Sequence, residues 1–279
     1  MSSHRSPAVA GQFYAGTKPA LEEQIEAAFE HPVGPASVPA VSTDGDPPLG
    51  LISPHAGYPY SGPVAAHGFS QLATTGRPEV AIIVGPNHGR RGRPLAISGA
   101  TRWETPLGTV TVHDDLRERL SSAPGVEIDE STHAGEHSLE VQVPFLQYLY
   151  DDQVPILPIV MSRQDQTHVD RLTSALLESV TDWSEVVIIA STDLTHYEPA
   201  ERAHRDDEAI RGAIESLDVA SVMDAKQSGH SMCGPGPTAV TLAVAREQQI
   251  DSGTVLSYAT SGDTGGDMDS VVGYVSAVM

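Results

Sequence analysis

Three short apolar runs, each breaking off into a loop that carries a histidine or an acid, constrain this chain more than anything else in it. LGLIS (49–53) runs into Pro54 and His55, VAIIV (80–84) into GPNHG with His88, and VVIIA (186–190) into STDLTHY with Asp193 and His196. Apolar runs this short, without polar alternation, suit strands buried on both faces. Stretches with helical spacing lie between them: SGPVAAHGFSQL (61–72), and residues 164–180 with Val169, Leu172, Leu176 and Leu177 directed inward. Buried strands alternating with helices predict an α/β fold with a central mixed, largely parallel sheet flanked by helices. Ligands bind such sheets outside the carboxyl ends of the strands. The three loops therefore predict one shared pocket.

The remaining segments fit around that sheet. LEEQIEAAFEH (21–31) predicts an amphipathic helix with Leu21, Ile25 and Phe29 on one face, and the first twenty residues read as packing. Residues 32–48, rich in Pro, Gly, Ser and Asp, predict an exposed loop. A hairpin-like excursion is expected over 94–112, with turns at Gly99-Ala100 and Pro106 to Gly108, and a short helix from His113 to Leu120. Leu139, Val143 and Leu146 give residues 133–150 a helical stripe, with His137 and Glu140 near its start. A further strand is expected at 154–160, surface helices at 200–214 and 218–225, a helix from Pro237 to Arg246, and closing strands at 254–261 and 270–278. With no internal repeat and no linker after residue 48, the chain, 1–279, reads as one domain.

Charge narrows the partners. The formal net charge of -21 comes from 37 acidic against 16 basic residues, and Lys18 and Lys226 are the only lysines. Such a field repels phosphate backbones and anionic membrane surfaces, so neither nucleic acid nor membrane is an expected partner. Acidic excess with scarce lysine also suits a high-salt, halophilic setting, where screening acts over about 3 Å at molar strength. No long apolar stretch and no charged-then-apolar leader pattern are visible, which places the expected location in the cytoplasm. Arg90, Arg91 and Arg93 form a local basic island, read as a solvated loop first and an anion clamp second.

Residue chemistry then selects the candidates. His55 and His88 follow buried strands directly and are held by Pro and Gly turns, so both are candidate site residues. Cys233, the only cysteine, excludes internal disulfides and multi-cysteine clusters. It stands just before a helix start, whose positive end would favour a thiolate. Two imidazoles and a thiolate make a metal set with open positions, and a cysteine–histidine nucleophile pair is the competing use of the same atoms. Asp193 and His196, three apart, would share a face in a helical turn, with the acid orienting the imidazole. His137 is a further candidate. Glu136 beside it reads as a first-turn acid complementing a helix dipole, and Tyr58 and Tyr60 as candidates for the pocket wall.

Five motifs taken together resemble the Memo family, the second component of the AmmeMemoRadiSam group: PHAGYPYSG (54–62), GPNH (85–88), EHSLEVQVPFLQ (136–147), STDLTHY (191–197) and MCGPGP (232–237). The opening AGQFY and closing VVGYVSAV extend the likeness over nearly the whole chain. The resemblance implies a LigB-like fold, that of the class III extradiol ring-cleaving dioxygenases, which hold Fe(II) with two histidines and a carboxylate. It carries His55, His88 and Cys233 to the three metal ligands, with Asp193 and His196 lining the pocket. A thiolate then replaces the dioxygenase carboxylate, which shifts metal preference towards copper, zinc or a differently tuned iron.

The function expected first is a metal-dependent redox protein or oxidoreductase with one Fe or Cu ion, Zn being an option, acting on a small substrate. In it His196, oriented by Asp193, handles protons, and His137 is a further catalytic candidate. The alternative is a non-catalytic scaffold that binds a peptide or a partner protein of the AmmeMemoRadiSam group in a vestigial pocket. Cysteine-based hydrolysis ranks last, because it leaves the second histidine without a task.

Overall fold

Strands form where the apolar runs predict them, and their pairing decides where the loops meet. The computed structural model describes residues 4–42, 44–89, 92–225 and 231–279. Its first half comprises β1 (His4–Arg5), α1 (Lys18–Glu30), β2 (Gly50–Ser53), α2 (Tyr58–Thr75), β3 (Val80–Pro86), β4 (Leu95–Ile97), β5 (Arg102–Thr105), β6 (Gly108–Thr111), α3 (Asp114–Ser121), β7 (Glu127–Ile128) and α4 (Glu130–His133). Then follow a 3-10 turn (Glu140–Gln142), α5 (Val143–Tyr150), β8 (Ile156–Met161), α6 (Gln166–Ser179), β9 (Val186–Ser191) and β10 (His196–Glu198). The chain closes with α7 (Ala200–Glu215), α8 (Val219–Asp224), α9 (Pro235–Glu247), β11 (Thr254–Thr260) and β12 (Val271–Val278).

The main sheet runs β10-β12-β2-β9-β3-β8-β4-β7, with β11 also paired to β12. Its centre, β2-β9-β3-β8, is parallel, and antiparallel pairs flank it at β12 and β4. This is the mixed sheet flanked by helices that the sequence predicts, parallel at its centre and antiparallel towards β10–β12. Successive strand residues face opposite layers. Gly50 faces α9, where an added Cβ would lie 2.6 Å from Thr241, while Leu51 packs against Gly68 of α2. Every residue of β2, β3, β8 and β9 is buried. A small second sheet, β1-β5-β6, pins the amino terminus beside the β5–β6 hairpin. Among the described residues no helix is long and apolar enough to cross a membrane.

Several expectations need correction. Only 102–111 form the hairpin; Leu95–Ile97 joins the main sheet antiparallel to β8. Residues 133–150 are not one helix: α4 ends at His133, and α5 starts only where Pro144 takes up its first turn. Proline suits that position because its missing N–H has no helical partner there. The turn at 193–196 is not helical, because His196 enters β10 against β12 and Thr195 is tied by its N–H and hydroxyl to buried Asp207. The helix predicted from Ser61 begins earlier, at Tyr58, with Pro59 in its first turn. Leu177 is only half-buried.

Candidate metal centre

Strand register brings the predicted residues together. Ser53 of β2 pairs with Ser191 of β9, so His55 and Asp193, each two residues further on, lie side by side. The His55 N–H donates to Asp193 Oδ1 at 2.8 Å. β3 pairs with β9 on its other edge and delivers His88 to the same end of the sheet. Ring centroids of His55 and His88 stand 5.2 Å apart, and His137 completes a cluster at 5.6 Å from His55 and 4.4 Å from His88. Phe13 packs on His137 at 4.6 Å, so the amino-terminal AGQFY segment covers one side of the cluster.

Cys233 reaches this cluster from the start of α9. Its Sγ lies 3.2 Å from His55 Nε2 and accepts the Asp193 N–H at 3.0 Å, while its own N–H donates to Asp193 O. Gln164, just after β8, holds the segment from the other side, donating from Nε2 to Cys233 O and accepting the Gly236 N–H at Oε1. Gly234 must be small: a Cβ there would sit 2.6 Å from Ser191 O. The expected thiolate is not favoured by the chain alone. Burial, and then the Asp193 carboxylate, push the Cys233 thiol up, and these outweigh the N–H donors around it. Burial also raises Asp193 and lowers His55, so the buried groups lean to their neutral forms.

The second partner of each imidazole was not predicted. His55 Nδ1 lies 2.8 Å from Ser191 Oγ. His88 Nδ1 lies 2.9 Å from Glu136 Oε1, and the His88 N–H donates to Glu136 Oε2 at 2.6 Å. Glu136 also accepts the N–H groups of His137 and Ser138. It is therefore a buried acceptor, not a first-turn acid facing a helix dipole. Burial opposes its charge, but His88 and the backbone donors prevail and hold the carboxyl at about 2. Burial likewise opposes protonation of His88, and Glu136 overrides it, raising the imidazole. Burial lowers His137.

Two sets of donors are close enough to share an ion, His55–His88–Cys233 and His88–Glu136–His137, the atoms of each set lying within 4.8 Å of one another. A carboxylate has about four lone-pair sites. Three N–H groups converge on Glu136 Oε1 and a fourth, from His88, on Oε2, so the carboxylate is already committed to positioning His88 and its own backbone. The set His55, His88 and Cys233 makes no use of that carboxylate.

Other predicted residues fall differently. Asp193 turns to the His55 backbone, and among the described residues no hydrogen bond joins its carboxylate to His196. His196 donates its N–H to Ser231 Oγ, and its buried Nδ1 has no hydrogen-bond partner among the described residues. Tyr58 is core, donating to Val141 O and packing on Tyr14 and Phe145. Tyr60 is 45 % exposed, and Tyr197, at the irregular pairing of β10 with β12, is 77 % exposed with φ of 60°. Arg90 and Arg91 lie outside the described residues, and Arg93 pairs with Glu127 at 3.3 Å.

The amino-terminal arm does more than pack. Arg5, 4 % exposed, donates to His133 O, Glu136 O and Glu140 Oε2, with its guanidinium 4.0 Å above the Trp103 ring. Glu140 also accepts Ala8 N–H, Val9 N–H and the Tyr14 hydroxyl. One buried ion pair thus fastens the arm to the segment that carries Glu136 and His137.

A family model described as Memo-like protein matches residues 5–278. The chain belongs to the Memo family. Among similar Memo relatives is a MEMO1 family protein of Methanopyrus kandleri, 42 % identical over 98 % of this chain and 98 % of its own length. Others come from Thermotoga maritima, 43 % identical over 99 % of each chain, and Pyrobaculum aerophilum, 44 % identical over 98 % of this chain and 97 % of its own. A solved structure of an uncharacterized Escherichia coli K12 protein superposes with a TM-score of 0.54 at 15 % identity, covering 82 % of this Memo chain and 99 % of its own. At that identity the likeness concerns the fold.

Proposed function

We propose that His55, His88 and Cys233 hold one transition-metal ion, iron or copper ahead of zinc, and that the chain is a metal-dependent redox protein or oxidoreductase acting on a small substrate. One observation carries this: the two histidine rings have their Nδ1 atoms engaged by Ser191 and Glu136, which leaves Nε2 of each ring for an ion, that of His55 lying 3.2 Å from the Cys233 sulfur. Metal-binding histidines characteristically carry such an outer partner. The fit is geometric as well. Tetrahedral ligands at ordinary bond lengths stand about 3.3–3.6 Å apart, and these donors already lie within 4.8 Å. A set of two imidazoles and one sulfur suits copper, zinc or iron better than calcium or magnesium.

When bound, such an ion supplies Lewis-acid or one-electron chemistry at its open positions. The chain's own residues do the rest. Cys233 gives up its thiol proton on loading, since sulfur ligates as thiolate. His137, lowered by burial, stays neutral and able to accept a proton near neutral pH. Asp193, 3.9 Å from His55 Nε2, would take or return a substrate proton, with His196 as the further proton-handling group. Exposed Tyr60 and Tyr197 favour a second reading, a peptide or a partner protein of the AmmeMemoRadiSam group bound over the same site.

Elemental analysis of untagged protein, with oxygen consumption followed in parallel, tests the proposal. About one iron or copper per chain, lost in Cys233→Ser, is the expected result. Metal-free protein whose uptake of added Fe(II) and copper is unchanged by Cys233→Ser would overturn it.

A further inference from the structure

We infer that segment 136–142, EHSLEVQ, is the scaffold that fixes both imidazoles as Nδ1–H tautomers, with Glu136, Ser138, Gln142 and Ser191 as positioning residues. The consequence for metal affinity rests on the proposal above; the tautomer assignment rests on hydrogen-bond geometry alone.

Ser191 decides the case of His55. Its hydroxyl meets three groups: Ser138 O at 2.6 Å, Gln142 Nε2 at 3.0 Å and His55 Nδ1 at 2.8 Å. A carbonyl oxygen only accepts, so the single hydroxyl proton goes to Ser138 O. Gln142 is oriented by Pro54 O, to which its Nε2 donates at 2.9 Å, so it presents N–H to Ser191 as well. Ser191 Oγ can then only accept from His55. His55 therefore carries its proton on Nδ1, and its Nε2 lone pair faces the Cys233 sulfur.

His88 reaches the same state by another route. Glu136 Oε1 already accepts the His137 and Ser138 N–H groups, which marks it as an acceptor, so its 2.9 Å contact requires Nδ1–H on His88. Ser138 joins the two halves, its N–H donating to Glu136 Oε1, its carbonyl accepting from Ser191, and its hydroxyl donating to Pro86 O at the end of β3. Close approach of that strand end depends on Gly85, where a Cβ would lie 2.7 Å from Ser138 Oγ. The partner of one ring nitrogen determines which nitrogen is left to ligate. This segment thus engages Nδ1 of both rings and leaves each Nε2 as the nitrogen for an ion before any arrives.

The test reads tautomers by long-range 1H–15N NMR on 15N-histidine protein, metal-free and loaded with Zn(II), and measures Zn(II) affinity against a competing chelator. Wild type is expected to show His55 and His88 with Nδ1 protonated in both states. Ser191→Ala is expected to release His55 into the Nε2–H form or a mixture and to weaken Zn(II) binding about 10–100-fold. A His55 already Nε2–H or mixed in wild type overturns the inference, as does a Ser191→Ala protein that keeps both tautomer and affinity. Wild type that holds Nδ1–H yet takes up no transition metal supports the scaffold and sinks the metal proposal instead. The wild-type measurement needs no variant to fold.

Discussion

Replacing Arg5 with methionine should cost far more than its place in a two-residue strand suggests. Its side chain is 2 % exposed, and it faces a Glu140 side chain that is 0 % exposed at 2.7 Å. Removing one partner of a buried pair leaves an uncompensated charge and costs about 3–5 kcal/mol. Methionine keeps contact with the Trp103 ring, so lost packing contributes little. The same change frees the His133 and Glu136 carbonyls, which Arg5 holds at 2.9 and 2.7 Å. Urea titration of wild type, Arg5→Met, Glu140→Leu and the double variant gives the coupling directly. The double variant is expected to lose about 1–3 kcal/mol less than the sum of the singles. It does not recover fully, because Ala8 N–H, Val9 N–H and the Tyr14 hydroxyl still lack their acceptor. A cost below about 1 kcal/mol for Arg5→Met, or additive singles, would refute the reasoning.

Three further outcomes are expected. Glu136, held at about 2 when folded against an ordinary 4.5, contributes stability that is complete above pH 4.5 and is lost as pH falls from there towards 2. Denaturation across that window should therefore be steeper for wild type than for Glu136→Gln, and equal slopes would contradict the assignment. Cys233→Ser should reduce copper and Zn(II) affinity by more than the 10–100-fold typical of an outer partner, read by competition with a chelator; a smaller loss would show that the sulfur is not a ligand. The charge of -21 predicts a melting temperature that rises strongly from low to molar KCl, and a flat profile would remove high-salt adaptation as its explanation.

Much of this architecture was legible because buried parallel strands write themselves as uninterrupted apolar runs. His55, His88 and Cys233 were legible because Pro and Gly mark the turns on which they sit. Their partners were not. Glu136 reads as an ordinary helix-start acid, and only the folded chain shows it bending back onto its own backbone and across to His88. Ser191 reads as the first residue of a loop after a strand, and Gln142 as one polar residue within a helical segment. Hydrogen bonds that span dozens of residues have no periodicity to betray them. The apolar stripe over 133–150 misled for the same reason: Leu139 is fully buried, but the carboxylate of Glu136 competes for the N–H groups that a continuous helix would use.

A crystal structure of metal-loaded protein, with anomalous scattering collected at the metal edge, tests the central claim most directly. The expected result is one peak within bonding distance of His55 Nε2, His88 Nε2 and Cys233 Sγ, with Glu136 in contact with His88 and not with the ion. A peak ligated by Glu136 and His137, or none in this pocket, would contradict it.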